Sequence, residues 1–469
     1  MTMLSLCLVV LTKLMPLMLV TDSWLAFVSG RTVAAHGLPH HDSLTLWTLG
    51  RQWTDQQWGA QFLLYETVKH GGVAVVVGFA VVCVVSALVL IAITARKLAA
   101  SARSVALALP LPLFAAPYLA FVRSQIFAVV LFVAVYALLV LDARRPSRRI
   151  LLVLPLFVMW ANLHGSIVLG VAIAAGYGLS LLVRPGRRRL GALLAVASPL
   201  TLFASPYGLH VVGYYRLMLV HPPLARLVTE WQPPGFGYAT AIFFASALGA
   251  CAWWGAHRRV LTPFERWVLP ALLVAALLAI RNTVWFELAF AVAMPRFLDA
   301  SWPSRRALTR QSRRAGLLLA GTASLVALVL FSVALTRPSG WFERLGTPAE
   351  AAAIASAAGS HGIVLADDKH ADWVLWEQPS LAGRIAYDSR LELLSGPELH
   401  QILLLDQTSR GAWQRCGSTA RIVTFGTPAD EGRARREQVL AAGSRTLFRT
   451  PVLVAVEQPH PTPHQACRL

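Results

Sequence analysis

The sequence predicts an α-helical polytopic membrane protein with about 11 transmembrane helices and a small C-terminal α/β extracytoplasmic domain. Two observations support this fold class. The first is the composition, since 56% of the 469 residues are hydrophobic and only 14% are charged. The second is that long apolar runs recur through the first 335 positions. Soluble domains usually carry about a quarter charged residues, so this composition excludes an ordinary soluble globular protein.

Apolar runs of about 17 to 25 residues are long enough to cross the hydrocarbon core of a bilayer as helices. We place spans at 3–20, 72–94, 105–121, 125–141, 150–163, 166–183, 190–204, 239–255, 267–280, 284–298 and 315–335. Prolines interrupt the runs at 105–121 and 190–204, so their helix boundaries are soft. The sequence therefore predicts a transmembrane domain over 1–335, with its first outer loop at 21–71, and an extracytoplasmic α/β domain over 336–469.

Basic residues are distributed unevenly along this layout. The chain has 42 Lys and Arg against 23 Asp and Glu, a net charge of +19. If the N-terminus is cytoplasmic, the inner segments hold 20 basic residues and the outer segments before residue 336 hold 7. Because short cytoplasmic loops collect Lys and Arg, we predict a multi-pass protein of the inner (plasma) membrane whose C-terminal domain is extracytoplasmic. The charge indicates topology and contact with membrane lipid, and it does not indicate nucleic acid as a partner.

The first apolar run lacks a basic segment before it and a small-residue cleavage site after it. This pattern favours a retained helix over a cleaved signal peptide.

The predicted outer domain alternates helix and strand. Thr347 has the character of an N-cap for a helix from Pro348 to Ala358. Short β-rich runs predict strands at 362–366, 384–387, 421–425 and 451–456, with helices at 396–405 and 430–442. Cys416 and Cys467 share this domain, and an oxidising exterior would allow them to pair.

Polar side chains concentrate on the predicted outer face, whereas the inner loops contain little beyond arginine anchors. Ionisable groups at a membrane boundary cost free energy unless they are paired or serve a site. Each has a structural alternative, since Trp and Tyr often anchor helices at the interface and a histidine can simply be packed. The candidate substrate-binding residues are Arg281, Arg123, His164, His41, Glu230, Trp231 and Tyr207.

Asp22 stands where the first span ends, at the water boundary. A carboxylate there could take a proton from an attacking hydroxyl while arginines neutralise a departing phosphate. The alternative is that Asp22 caps the following helical turn. No cofactor is predicted, although His36, His40, His41 and Asp42 leave a divalent metal as an open alternative.

The outer segments resemble those of C-type glycosyltransferases, which use polyprenyl-phosphate sugars, and in particular a bacterial branch related to protein mannosyltransferases and aminoarabinose transferases. The resemblance covers most of the chain, through diffuse motifs. It rests on Asp22-Ser-Trp-Leu-Ala-Phe-Val-Ser-Gly30-Arg31, His36-Gly-Leu-Pro39, Trp160-Ala-Asn-Leu-His-Gly165, Ser205-Pro-Tyr-Gly208, Glu230-Trp-Gln-Pro-Pro234, Arg281 with Trp285-Phe286, Asp372-Trp-Val-Leu-Trp376 and Ile385-Ala-Tyr-Asp388-Ser-Arg390.

This resemblance implies transfer of a sugar from a polyprenyl-phosphate carrier to a glycan, lipid or protein acceptor at the outer face of the membrane. It implies that Asp22 is the catalytic carboxylate and that Arg281 and Arg123 hold the carrier phosphate. The acidic pair that is usual in the family is absent, because Ser23 follows Asp22. Asp42 and Asp55 are therefore further catalytic candidates, although Asp42 could instead cap a short helix.

Two other functions stay open at this point. A secondary transporter would place ionisable groups near the bilayer midplane, often in inverted repeats, and the predicted spans are nearly uncharged there apart from Lys13 and Glu287. The other alternative is a non-catalytic membrane protein of envelope assembly, which the missing second acid favours.

Overall fold

The structure is a computed structural model that describes residues 1–220, 228–302, 310–406, 419–426 and 443–458. Two predictions fall outside these residues. They are the pairing of Cys416 with Cys467 and the helix at 430–442.

The described chain is mainly helical. In chain order the α-helices are α1 Thr2–Leu14, α2 Thr21–His36, α3 Trp58–Lys97, α4 Ala102–Ala108, α5 Leu111–Ala115, α6 Gln125–Arg144, α7 Val153–Trp160, α8 Ile167–Leu182, α9 Arg188–Leu200, α10 Val211–Val220, α11 Tyr238–His257, α12 Pro263–Leu278, α13 Thr283–Ser301, α14 Arg310–Leu335, α15 Pro348–Ala358, α16 Asp368–Glu377 and α17 Gly396–Asp406. Gly72 interrupts α3 with a non-helical backbone at φ +75°, a conformation that favours glycine.

Each predicted apolar run contains helix, but several runs are broken. The run at 105–121 forms α4, α5 and a short 3-10 helix at Pro117–Ala120. Its three prolines explain the breaks, because proline lacks an N–H donor and clashes with the preceding helical turn. The prediction that prolines interrupt the helix in this run is confirmed.

Among the described residues, three helices are long and apolar enough to cross a membrane: Trp58–Lys97, Gln125–Arg144 and Arg314–Leu335. The number rises to five if each of two bent helix pairs forms one span. Many of the other helices are shorter than a bilayer core requires. The count of eleven spans stays a prediction.

The chain divides into two compact units. Unit 1 comprises Met1–Met18, Gly71–Val211 and Val228–Arg337. Unit 2 comprises Leu19–His70, Val212–Leu227 and Pro338–Leu469. The predicted first outer loop thus groups with the C-terminal region, and each unit is described below by itself.

Unit 1 is a helical bundle whose helices approach closely where residues are small. A Cβ placed on Gly178 of α8 would lie 2.8 Å from the backbone oxygen of Gly191 in α9, so both helices need glycine there. A buried ion pair joins α12 to α13 through Glu265 and Arg296. Glu265 also accepts a hydrogen bond from the backbone N–H of Thr262 at 2.9 Å, which caps α12.

Unit 2 contains a four-stranded sheet packed with helices. The strands are β1 Val364–Ala366, β2 Ile422–Gly426, β3 Arg445–Arg449 and β4 Leu453–Glu457, in the order β1-β2-β4-β3. β1 pairs parallel with β2, and the other neighbours pair antiparallel. The predicted helix capped by Thr347 is confirmed, since the Thr347 side chain accepts from the backbone N–H of Glu350.

The predicted strand at 384–387 forms isolated bridges rather than a regular strand. Ile385 bridges Val364 of β1 on one side and Thr45 on the other. The backbone N–H of Leu46 donates to Ile385 at 2.8 Å, and that of Trp47 donates to Ala386 at 3.0 Å. Backbone from the first outer segment therefore extends the sheet of unit 2 beyond β1.

Candidate functional site

Three turns of unit 1 present polar side chains next to one another. Arg123 lies just before α6, Glu230 and Trp231 lie in the 3-10 turn Thr229–Trp231, and Arg281 lies in the 3-10 turn between α12 and α13. The backbone N–H of Ile280 donates to the carbonyl of Gln232 at 2.9 Å. This bond ties the two 3-10 turns together.

The side chains of these turns are in direct contact. Arg123 is 7% exposed, and its Nη1 lies 2.9 Å from Glu230 Oε1. The guanidinium of Arg281 stacks over the ring of Trp231, 4.2 Å from its centroid. We call Arg123, His164, Glu230, Trp231 and Arg281 the arginine cluster.

His164 joins this cluster from the turn between α7 and α8. It is buried, and its Nδ1 lies 2.7 Å from Ser166 Oγ while also accepting the Ser166 backbone N–H at 3.1 Å. Burial, followed by the positive charges of Arg281 and Arg123, holds the pKa of His164 well below its usual range. The imidazole is therefore neutral at neutral pH, and Nδ1 acts as an acceptor.

The arginine cluster carries two guanidinium groups and one carboxylate. Burial alone would raise the pKa of Glu230, but Arg123 and then Arg281 outweigh burial and lower it. Glu230 is therefore ionised, and it lies beside both guanidinium groups. Guanidinium groups bind phosphate and carboxylate through paired hydrogen bonds, so the cluster is suited to an anionic ligand group.

Two further predicted binding residues lie elsewhere. Tyr207 is buried in the turn after α9, and the side chain of Asn162 donates to the carbonyl of Ala204 in that region at 2.7 Å. His41 is exposed in unit 2, where its backbone forms an isolated bridge with Gln52.

Asp22 lies in the first turn of α2 in unit 2 and is partly exposed. The N-cap of this helix is Val20, and the Ser23 hydroxyl accepts the Val20 backbone N–H at 3.0 Å. The N-cap position is therefore filled by another residue. A carboxylate in a first helical turn is favoured by the helix dipole.

Asp42 belongs to a buried ion network in unit 2. Arg390 Nη2 lies 2.8 Å from Asp42 and 2.7 Å from Asp388, and the guanidinium lies 4.5 Å from the ring centroid of Trp53. Asp42 also accepts from the Leu44 backbone N–H at 3.0 Å and from the Thr48 hydroxyl at 2.5 Å. No helix follows Asp42, and the segment at 46–50 is a turn, so these contacts hold a turn rather than the short helix that the alternative predicted.

Three more carboxyl groups, of which Asp55 and Asp372 are buried, lie close enough to Arg390 for their charges to interact. Burial raises the pKa of Asp55 to about 7, and one of its oxygens has no hydrogen-bond partner among the described residues. Burial, with a contribution from Asp388, raises the pKa of Asp372 well above its usual range. Burial also raises the pKa of Glu392 to about 7, with smaller effects from Asp388 and Asp22. We call Arg390 and these five acids, Asp42, Asp55, Asp372, Asp388 and Glu392, the carboxylate network.

Sequence reasoning missed Glu392 entirely and gave Arg390 no role. Asp22 and Glu392 influence each other electrostatically, although almost the whole chain separates them. No local pattern marks Glu392, because only the fold of unit 2 brings its segment to the first outer segment.

The sequence left a divalent-metal site as an open alternative. In the ranges that the structure describes, no three His, Cys, Asp or Glu side chains are arranged to hold a metal ion. Asp42 instead directs its oxygens at Arg390, Thr45, Thr48 and a backbone N–H.

Comparison with known proteins places the fold. No family model and no curated protein sequence matches the chain. Among solved structures, the chain is similar to ArnT from Cupriavidus metallidurans bound to undecaprenyl phosphate, at 14% identity and a TM-score of 0.51, with 96% of this chain and 97% of that chain covered. It is also similar to the Archaeoglobus fulgidus oligosaccharyltransferase tethered with an acceptor peptide, at 12% identity and a TM-score of 0.50, covering 90% and 69%.

These likenesses extend over most of the chain and confirm, at the level of fold, the resemblance drawn from the sequence. The fold of this chain is therefore similar to the folds of ArnT and of the archaeal oligosaccharyltransferase.

Proposed function

We propose that this protein transfers a sugar from a polyprenyl-phosphate carrier to an acceptor at the outer face of the membrane. The acceptor would be a glycan, a lipid or a protein. We further propose the predicted layout of eleven spans in an inner membrane, with a cytoplasmic N-terminus and an extracytoplasmic C-terminal region.

The arginine cluster is the observation that carries this proposal. Arg123 and Arg281 approach His164 closely enough to lower its pKa, and Arg123 pairs with Glu230 at 2.9 Å. Two guanidinium groups held close together suit a phosphate, because each can bind its oxygens through paired, charge-assisted hydrogen bonds. The related ArnT structure contains undecaprenyl phosphate, which supports a carrier phosphate as that anion.

The chemistry divides into two roles. Arg123 and Arg281 would bind the phosphate and neutralise the charge that develops on it as the bond between the sugar C1 and the phosphate oxygen breaks. Asp22 would take the proton of the acceptor hydroxyl while the oxygen of that hydroxyl forms the new bond to C1. The products are the glycosylated acceptor and the polyprenyl phosphate, which leaves with the electron pair of the broken bond.

The other candidates take supporting roles in this proposal. Trp231 orients Arg281 by stacking, and neutral His164 supplies a hydrogen-bonding group that does not repel the arginines. His41 and Tyr207 would contact the sugar or the acceptor. Asp42 and Asp55 would shape the first outer segment through Arg390 rather than meet the substrate.

The direct test replaces Asp22 by Asn. Purified protein in nanodiscs receives a polyprenyl-phosphate sugar with a radiolabel on the sugar, together with a membrane extract as the source of acceptor. Transfer of label to acceptor should fall by about 10²-fold or more in Asp22→Asn, because general-base contributions are of that size.

Asp368→Asn is the matched control. Asp368 also lies in the first turn of a helix in unit 2 and is also partly exposed, and this variant should keep the wild-type rate. Equal activity of wild type and Asp22→Asn would remove Asp22 from catalysis. Absence of transfer by the wild type, together with movement of the unchanged carrier across the bilayer of proteoliposomes, would favour a transporter.

A further inference from the structure

A cavity outside the candidate site lies in unit 1, where α1, α3 and α4 meet. Its volume is about 550 Å³, and its walls are mainly apolar, with Leu4, Ile93, Val105 and Leu109 among them. Ile93 is 45% exposed. Pockets of about 300 to 1,000 Å³ are the size that accommodates small organic ligands.

Two basic side chains also line this cavity. Arg96 and Lys97 lie in the last turn of α3, which is long and apolar enough to span a membrane. The end of such a helix lies at the depth of lipid headgroups. Apolar walls and a basic margin are thus combined at one membrane boundary.

The two cations differ in how far they are neutralised. Arg96 donates to the carbonyl of Ala100, and Asp299 lies close enough for the two charges to interact. Lys97 is exposed and has no carboxylate partner in the described part of the chain. A negative group at the mouth of the cavity would therefore meet an uncompensated ammonium.

We propose that this cavity binds an anionic membrane phospholipid, with an acyl chain against Leu4, Ile93 and Val105 and the headgroup phosphate at Lys97. The apolar walls select a hydrocarbon chain, and the unpaired charge selects an anionic headgroup over a zwitterionic one. Basic residues near a membrane surface attract anionic lipid by about 1 kcal/mol each, which corresponds to about fivefold in affinity. This site does not depend on the proposed transfer reaction.

Native mass spectrometry of the full chain in detergent tests the proposal, with phosphatidylglycerol and phosphatidylcholine titrated separately. We expect the first phosphatidylglycerol to bind about fivefold more tightly than phosphatidylcholine. Lys97→Ala should abolish this preference. Ile93→Trp should fill the cavity and weaken the binding of both lipids.

Arg103→Ala is the control, because Arg103 is exposed in α4 and does not line the cavity. It should leave the preference unchanged. An equal loss in Arg103→Ala and Lys97→Ala would show attraction to a general basic surface and overturn the proposal. Equal affinity for the two lipids in the wild type would also overturn it. Lys97 is exposed, so its variant should fold even if Ile93→Trp does not.

Discussion

The arginine cluster of unit 1 and the carboxylate network of unit 2 have opposite charge balance. In the cluster, two arginines lie beside one carboxylate of the described residues, Glu230, which is 33% exposed. In the network, one arginine that is 2% exposed pairs with two carboxylates and lies near three more acids. The cluster combines two guanidinium groups at one place, whereas the guanidinium of the network is buried among carboxyl groups of the protein.

This difference separates a binding role from a structural one. A buried charge whose partners are all supplied by the protein stabilises one conformation, and its removal leaves the partners unpaired. Two guanidinium groups that lie close together can bind an added anion through paired hydrogen bonds. The comparison therefore makes different predictions for arginines that look alike in the sequence.

The largest effect is expected on breaking the network. Arg390→Leu should destabilise unit 2 by about 3 to 5 kcal/mol, since it leaves Asp42 and Asp388 buried without a cation. Thermal unfolding followed by tryptophan fluorescence measures the change, because Trp53 stacks on this guanidinium. Arg445→Ala is the control, as Arg445 pairs with Glu457 at the surface with 78% of its side chain exposed, and should change stability by less than about 1 kcal/mol. Equal shifts in both variants would contradict the structural role.

The arginine cluster should respond in binding rather than in stability. Arg281→Ala should weaken the binding of undecaprenyl phosphate by about 10- to 100-fold, because a charge-assisted contact of about 1.5 to 3 kcal/mol is lost. Isothermal titration in detergent measures this affinity, and Arg281→Lys should keep part of it.

Arg258→Ala provides the matched control for Arg281. Arg258 also stacks on a tryptophan, 5.9 Å from the ring centroid of Trp254, but within the described residues it pairs with no carboxylate. Its removal should leave phosphate binding unchanged. If both variants bound the carrier as the wild type does, the arginine cluster would not be the phosphate site.

The smallest expected effect depends on pH. The pKa of Asp55 is about 7 in the folded protein and near 3.8 in the unfolded chain. The folded state therefore holds more protons between these values. The stability that the neutral carboxyl contributes is complete below about pH 4 and is lost as the pH rises through 7.

Asp55→Asn should remove this dependence. The free energy of unfolding of the variant, relative to that of the wild type, should increase as the pH rises from 5 to 8. The increase should be on the order of a few kcal/mol or less. Thermal midpoints at both pH values measure it. If the difference in stability between the two proteins were constant over this range, the ionisation of Asp55 would not be coupled to folding.

Much of the fold follows from local patterns. The proline positions between 105 and 121 predicted the broken helix there, and Thr347 predicted the start of α15. Both signals depend on backbone rules that act within a few residues. Arg123, Glu230, Trp231 and Arg281 were chosen as candidates because polar groups concentrate on the predicted outer face, where basic residues are few. The structure brings these four side chains together, and their role as binding residues stays a prediction.

Local sequence patterns did not predict the carboxylate network. Arg390 and Asp42 meet only after two distant segments fold together, and nothing near either residue indicates its partner. The strand at Arg445–Arg449 was also missed, since its two arginines weaken the strand pattern. Long-range pairing of this kind depends on topology, which periodicity within one segment does not reveal.

The backbone bridges made by Ile385 have a consequence for solubility. They cover the outer side of β1, whose N–H and C=O groups would otherwise be open to pairing with another molecule. At the opposite margin of the described sheet, β3 begins and ends with Arg445 and Arg449, and charges on an edge strand discourage such pairing. One edge of the sheet is thus covered by the backbone at Ile385, and the other edge carries charged side chains. Both features protect this unit from aggregating through its strands.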